Sequence, residues 1–145
     1  MRIGIASDHG GFRLKAELLS LLRERSDLIL EDLGTSSDAS TDYPDYAHAL
    51  AAAILAGRFD RGILVCGTGV GMAISANRHA GIRCVNCSDT YTARLSRQHN
   101  DTNVLALGER VLGKGLAWEI VSAWLDEPSD TDPRHARRRA KIELP

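Results

Sequence analysis

The sequence has no apolar stretch long enough to cross a bilayer, and its polar start does not resemble an export signal. Its net charge is only −1 at pH 7, so no overall attraction to nucleic acid or to an anionic membrane is expected. Its three cysteines are an odd number, which argues against a disulfide framework and for a reducing compartment. We therefore predict a cytoplasmic protein with no nucleic-acid or membrane partner.

The rest of the composition is ordinary, and 145 residues are enough for one domain with a buried core, residues 1–145. Short strand-like apolar runs alternate with longer helix-like ones, which is the pattern of βαβ units. This alternation predicts an α/β fold with a five-stranded parallel sheet, helices on both faces and the third strand at the centre. Strands are expected at 2–7, 28–33, 62–66, 81–86 and 103–107. Helices are expected at 11–25, 44–56, 70–79, 89–99, 115–125 and 133–142. Ser88 is the expected N-cap of the helix at 89–99, and the last helix is strongly basic.

A glycine-rich segment, CGTGVG at 66–71, joins the third strand to its helix. Its glycines let backbone N–H groups approach a ligand, the helix N-terminus adds a partial positive charge, and Thr68 offers a hydroxyl. The spacing fits neither a Walker loop nor a dinucleotide fingerprint. An anion-binding cradle and a tight turn without a ligand are therefore equally good interpretations of this segment alone.

Cys66 precedes these glycines at the carboxyl end of the strand, where ligands bind in open parallel sheets. A thiolate at the start of a helix is stabilised and can act as base or nucleophile. The alternative is a small buried core residue, the commoner fate of a lone cysteine. The position of Cys66 favours a functional role.

Two histidine segments are further candidates. Asp8 and His9 end the first strand and suit contacts to sugar hydroxyls and phosphate, although Asp8 can equally cap the following helix. His99 ends the fourth helix, where its cationic form is favoured, as an acid requires. From position alone, an interaction of His99 with the last helix carbonyls is the preferred interpretation.

The last helix carries Arg134 and Arg138 four residues apart, so both lie on one face and two guanidinium groups could hold a phosphate. A solvated basic face is the commoner explanation, and a nucleic-acid patch is weaker because no aromatic residues interleave. Cys84 and Cys87 form a C-x-x-C pair without the second pair that zinc requires, so we expect only a structural role for them.

Together these segments resemble the ribose-5-phosphate isomerase B / galactose-6-phosphate isomerase family over nearly the whole chain. The matching runs are SDHGGF at 7–12, DYP at 42–44, GILVCGTGVG at 62–71 and SRQHNDTNVL at 96–105, followed by Arg134, His135 and Arg138. The resemblance implies a three-layer αβα Rossmann-like homodimer, possibly a tetramer, that needs no metal and no nucleotide cofactor. One branch of the family has Ser at the position of Cys66 and a Glu base at the position of Ser75. This chain has Cys66 and Ser75, so it resembles the cysteine branch of the family.

The resemblance also implies roles for individual residues. Cys66 matches the base that removes a proton, and His99 matches the acid that opens the sugar ring. His99 and Asn100 would reach the site from the second subunit. Asp8 matches a residue that contacts substrate hydroxyls. The residues that match the phosphate-binding set are His9, Arg110, Arg134 and Arg138. The residues that match the loop holding the developing enediolate are Gly67, Thr68, Gly69, Val70 and Gly71, and Thr68 is expected to be catalytic.

The function that the resemblance implies is interconversion of ribose 5-phosphate and ribulose 5-phosphate through an enediolate. Such a reaction needs a base and donors aimed at the developing oxyanion, which Cys66 and the adjacent N–H groups could supply. One alternative is an isomerase of a six-carbon sugar, allose or galactose 6-phosphate. The other is a non-catalytic module that binds phosphorylated sugars with the same loop and arginines.

Overall fold

The computed structural model describes residues 1–143, so Leu144 and Pro145, the last two residues of the predicted domain, lie outside the described part. Five parallel strands form one sheet in the order β2-β1-β3-β5-β4. This order places β3 at the centre, as predicted from its apolar sequence. The strands are β1 Arg2–Ser7, β2 Ile29–Asp32, β3 Arg61–Cys66, β4 Cys84–Asn86 and β5 Val104–Gly108.

Helices cover both faces of the sheet and thereby confirm the predicted α/β fold. Buried residues of α1, α4 and α5 form one core cluster with one face of the sheet, and those of α2 and α3 form a second cluster on the other face. The basic helix α6 packs against α4. No helix within residues 1–143 is both long and apolar enough to cross a membrane. The bounds are α1 Phe12–Leu22, α2 Tyr43–Leu55, α3 Val70–Ala76, α4 Thr90–Asn100, α5 Lys114–Asp126 and α6 Pro133–Arg139.

Two local predictions are wrong. The N-cap of α4 is Asp89 and not Ser88, because the Asp89 carboxylate accepts a hydrogen bond from the Thr92 N–H at 2.7 Å. Strand β4 begins at Cys84 and not at 81, because its partner β5 begins only at Val104. The Arg83 N–H is satisfied by the side-chain oxygen of Asn103 instead of by the sheet. The remaining helix and strand bounds differ from the predicted ones by a few residues, most at α1, α3 and α6, each of which ends three residues early.

Candidate active site

Cys66 ends the central strand and is almost fully buried, at 5% exposure. The backbone N–H of Gly69 donates a hydrogen bond to its sulfur over 3.0 Å. Gly69 makes this possible with a left-handed backbone, φ +82°, which other residues adopt only with strain. The loop therefore places a backbone donor directly on the Cys66 sulfur.

The glycine loop is supported from the neighbouring strand by Asn86, which the sequence had not singled out as a site residue. Its side-chain amide donates to the carbonyl oxygen of Thr68 over 3.1 Å. The amide nitrogen lies so near Gly69 that a Cβ there would come within 2.0 Å of it. The hydroxyl-bearing side chain of Thr68 itself is exposed, as a contact to a ligand requires.

Arg110 brings a positive charge to the same loop. Its backbone N–H donates to the Gly67 carbonyl over 3.0 Å, and its guanidinium lies within 3.4 Å of the point where a Cβ of Gly67 would stand. The guanidinium is exposed and beside the backbone N–H groups that follow Cys66. This is an arrangement that attracts an anion.

The turn that contains Asp8 and His9 approaches the glycine loop through Gly10, because a Cβ on Gly10 would be only 3.2 Å from the Gly67 nitrogen. The buried Asp8 carboxylate accepts the Gly10 N–H over 2.9 Å and so caps the short 3-10 turn that follows. The Nδ1 atom of the His9 ring lies 3.2 Å from the backbone nitrogen of Thr41 and 3.2 Å from its carbonyl oxygen. A ligand would therefore meet the other ring nitrogen, Nε2.

His99 and Asn100, in contrast, lie at the opposite edge of the sheet. Helix α4 runs back from the carboxyl edge to the amino edge, and the Asn100 carbonyl accepts a hydrogen bond from Arg83, just before β4. The six residues of β3 separate the two edges by roughly 20 Å. The structure therefore does not bring His99 and Cys66 together within one chain.

Arg134 and Arg138 belong to the same distant set as His99. Both lie on α6, which packs against α4, and both are exposed; Arg134 pairs with Asp132 over 2.9 Å. The residues expected in the site thus fall into two sets. At the carboxyl edge lie Cys66, Asp8, His9, Arg110 and the loop Gly67, Thr68, Gly69, Val70 and Gly71; near the amino edge lie His99, Asn100, Arg134 and Arg138.

Two further residues accompany His99: Asp130, which the sequence had not singled out, and His135, which belongs to the matching pattern but had been given no role. The His99 and His135 rings are 4.1 Å apart between centroids, and His135 Nδ1 is 2.6 Å from an Asp130 carboxylate oxygen. Burial opposes ionisation of Asp130, but its hydrogen bonds from His135 and the Asp132 N–H outweigh burial and lower its pKa.

These same three side chains are the group within residues 1–143 whose atoms could hold a metal ion. Their potential ligand atoms lie within 4.8 Å of one another, and two imidazoles with a carboxylate are a donor set that zinc accepts. Two of those atoms, however, already bond each other in the pair formed by His135 and Asp130. The arginines of α6 also make the surroundings unfavourable for a cation.

Cys84 and Cys87 have different surroundings from Cys66. All three thiols are free. Burial raises the pKa of Cys84 well above its usual range, and burial together with the negative charge of Asp89 raises that of Cys87 to about 12. Both thiols therefore stay protonated near neutral pH, which agrees with a structural role.

Comparison with known proteins finds a matching family model, two similar relatives and a similar solved structure. A family model described as Ribose/Galactose Isomerase matches residues 3–142. Ribose-5-phosphate isomerase B of Escherichia coli (strain K12) is 56% identical over 124 residues, covering 86% of this chain and 83% of that protein. D-erythrulose-4-phosphate isomerase of Pectobacterium atrosepticum is 42% identical over 126 residues, covering 87% of this chain and 83% of that protein. The solved structure of Clostridium thermocellum ribose-5-phosphate isomerase B superposes with a TM-score of 0.95 at 49% identity, covering 98% and 95% of the two chains.

Proposed function

The chain belongs to the ribose/galactose isomerase family and is a sugar-phosphate isomerase, and from this premise we propose that it interconverts ribose 5-phosphate and ribulose 5-phosphate. The observation that carries the proposal is the Cys66 sulfur, which accepts the Gly69 N–H in a loop that also lies beside Arg110 and beside Gly10 of the turn that carries Asp8 and His9. A base and anion-attracting donors are thereby adjacent, as proton transfer between neighbouring sugar carbons requires.

In the proposed reaction, the Cys66 thiolate removes the proton from the second carbon of the open-chain aldose. The resulting enediolate has its charge on oxygen, where the Thr68 hydroxyl and the N–H groups of the glycine loop can donate hydrogen bonds. The hydroxyl proton on the second carbon passes to the oxygen of the first carbon, the thiol returns a proton to the first carbon, and the ketose results. Asp8 holds sugar hydroxyls, while His9 and Arg110 contact the phosphate at the end remote from the reacting carbons.

The proposed active form is a homodimer in which each site takes residues from both chains. Support comes from the two separated sets of site residues, since His99 would meet Cys66 only across a subunit interface. His99 then acts as the acid that opens the sugar ring, and Asn100 accompanies it. Arg134 and Arg138, which lie with His99, complete the phosphate contacts. A C2 dimer would contain two such shared sites.

An exposed apolar face beside the glycine loop is suited to that interface. Val70 and Ile74 lie one turn apart on α3 and are 52% and 58% exposed, and the half-exposed Tyr43 ring packs against Gly71. We expect Ile74→Arg to shift the protein from dimer to monomer in sedimentation analysis and to lower isomerase activity by about tenfold or more, because each subunit would then bury a charge in the interface.

The matched control for that variant is Ile29→Arg, because Ile29 is also exposed, at 69%, but lies on the edge strand β2. It should leave both assembly and activity unchanged. A fully dimeric and active Ile74→Arg protein would exclude this face from the interface.

Substrate length is tested by comparing kcat/KM over a panel of phosphorylated aldoses with four, five and six carbons. We expect ribose 5-phosphate to be preferred over allose and galactose 6-phosphate by about tenfold or more, the range that one additional carbon unit produces. A preference for a six-carbon sugar would replace the proposed substrate. Binding of a sugar phosphate without isomerisation or solvent-proton exchange at the second carbon would instead indicate a non-catalytic module.

We also propose that the chain works in the cytoplasm as a single sugar-phosphate isomerase domain. The three free thiols are compatible with a reducing compartment, where Cys66 would remain unoxidised. The proposal includes no metal ion and no nucleotide cofactor, because the described base, acid and donor groups are sufficient for the aldose–ketose conversion.

A further inference from the structure

The last turn of α4 is packed by two residues that the proposed reaction does not use, Asp130 and His135. His135 of α6 is buried, at 4% exposure, and its ring stacks at a 40° tilt against the ring of His99. His99 itself is only partly buried, so one side of its ring remains open. His135 therefore forms the protein wall on the side of His99 that faces α6.

His135 is in turn fixed by Asp130. One Asp130 carboxylate oxygen bonds His135 Nδ1 over 2.6 Å, and the other accepts the Asp132 N–H over 3.0 Å. The Asp130 N–H donates to the carbonyl of Gln98, the residue before His99, over 3.0 Å. Asp130 thus connects the last turn of α4 to the ring that stacks on His99, and both of its oxygens are held.

We propose that Asp130 and His135 are positioning residues that hold the His99 ring in the orientation needed to protonate the ring oxygen of a cyclic sugar phosphate. The inference rests on the proposed function, because it assumes that His99 is the ring-opening acid. A carboxylate that bonds one nitrogen of an imidazole fixes the orientation and tautomer of that ring. Here the fixed ring is His135, which passes its orientation to His99 by stacking.

Asp130 is the carboxylate that orients His135, because the other charged side chains around His99 have other partners. On α4, Arg97 is paired with Asp101 over 2.8 Å. From α6, Arg139 donates to the His99 carbonyl over 3.3 Å. On the connecting segment, Asp132 pairs with Arg134, and Glu127 accepts from Gln98. Because the pKa of Asp130 is lowered, its carboxylate remains charged through the neutral range and able to accept from His135.

Four variants separate the two contacts. Asp130→Ala removes the acceptor, whereas Asp130→Asn keeps an oxygen for His135. His135→Phe keeps a ring against His99 but loses the bond to Asp130, whereas His135→Asn keeps a donor near the Nδ1 position and loses the ring. Each is measured for kcat and KM with ribose 5-phosphate, and for deuterium uptake from solvent into the first carbon of ribulose 5-phosphate, with EDTA present. Ribulose 5-phosphate is open-chain and needs no ring opening.

We expect Asp130→Ala and both His135 variants to lower kcat for ribose 5-phosphate by about tenfold, the usual size of an orienting contact, with KM within about twofold. Deuterium uptake should remain near the native rate, and Asp130→Asn should recover most of the lost turnover. Arg137→Ala, on the same helix, is the control and should behave as native.

An equal loss of turnover and of deuterium uptake would show a general structural role, and unchanged kcat would show no role, so either result overturns the proposal. Thermal unfolding of each variant identifies any that do not fold, and the surviving variants decide the question. If His99→Ala itself retained native turnover, the failure would lie in the proposed acid and not in Asp130 or His135.

Discussion

Replacing Cys66 with alanine should lower kcat for ribose 5-phosphate by about a thousandfold, which is within the range contributed by a catalytic acid or base. The loop would keep its N–H donors and Arg110, so binding of the substrate should change far less than turnover. The same variant should lose deuterium exchange from solvent into ribulose 5-phosphate, because that exchange needs only the base and the enediolate. Steady-state kinetics and NMR detection of deuterium in the sugar measure both effects.

The two other cysteines provide matched controls. Cys84→Ser and Cys87→Ala should retain activity within about twofold, because both thiols have raised pKa values and lie outside the glycine loop. If Cys66→Ala kept near-native turnover while its unfolding temperature was unchanged, the base would be another group. Loss of activity in the control variants at an unchanged unfolding temperature would equally contradict the assignment.

Replacing His99 with asparagine should produce the second largest effect, a loss of about a hundredfold in kcat with ribose 5-phosphate. This sugar is predominantly a closed ring in water, and the acid is needed to open it. Deuterium uptake into ribulose 5-phosphate should remain within about threefold of native, because the open-chain ketose reaches the enediolate with Cys66 alone. Loss of turnover without loss of exchange is the signature of an acid that acts on the ring.

A four-carbon substrate offers a second comparison for the same variant. Erythrose 4-phosphate carries its phosphate on the oxygen that would close a five-membered ring, so it does not form one. If the native protein isomerises it, His99→Asn should do so at a nearly native rate. Equal losses with ring-forming and non-ring-forming substrates would mean that His99 acts on binding or on the enediolate instead of on ring opening.

Local patterns were sufficient for most of the fold. Strand β3 is apolar throughout because it is buried on both faces, and that run correctly predicted its central place. The prediction failed at β4, where the apolar run beginning at 81 precedes the start of the partner strand. It also failed at the cap of α4, since Ser88 and Asp89 are both good capping residues. Which of them is the cap depends on the residue at which the helix begins in the folded chain, and that residue makes Asp89 the cap.

The half of the site at the carboxyl edge could also be anticipated from the sequence. Asp8 and Cys66 end neighbouring parallel strands, and such ends meet at one edge of the sheet. His99 ends a helix, and the apolar periodicity does not tell at which edge of the sheet it lies or which subunit's site it joins. Only the family resemblance indicated that it joins the site of the second subunit. The contact of His135 with Asp130 and His99 joins separate segments, and the sequence carries no local signal for it.

Each active site is proposed to combine Cys66 of one subunit with His99 of another. This combination is tested by co-expressing Cys66→Ala and His99→Ala chains that carry different tags, and by purifying the mixed dimer through both tags. Each parent variant is expected to be nearly inactive, whereas the mixed dimer contains one intact site and one doubly substituted site. We expect it to recover about half of the native activity per dimer. A mixed dimer as inactive as its parents would contradict the shared site and would require both residues to act within one chain.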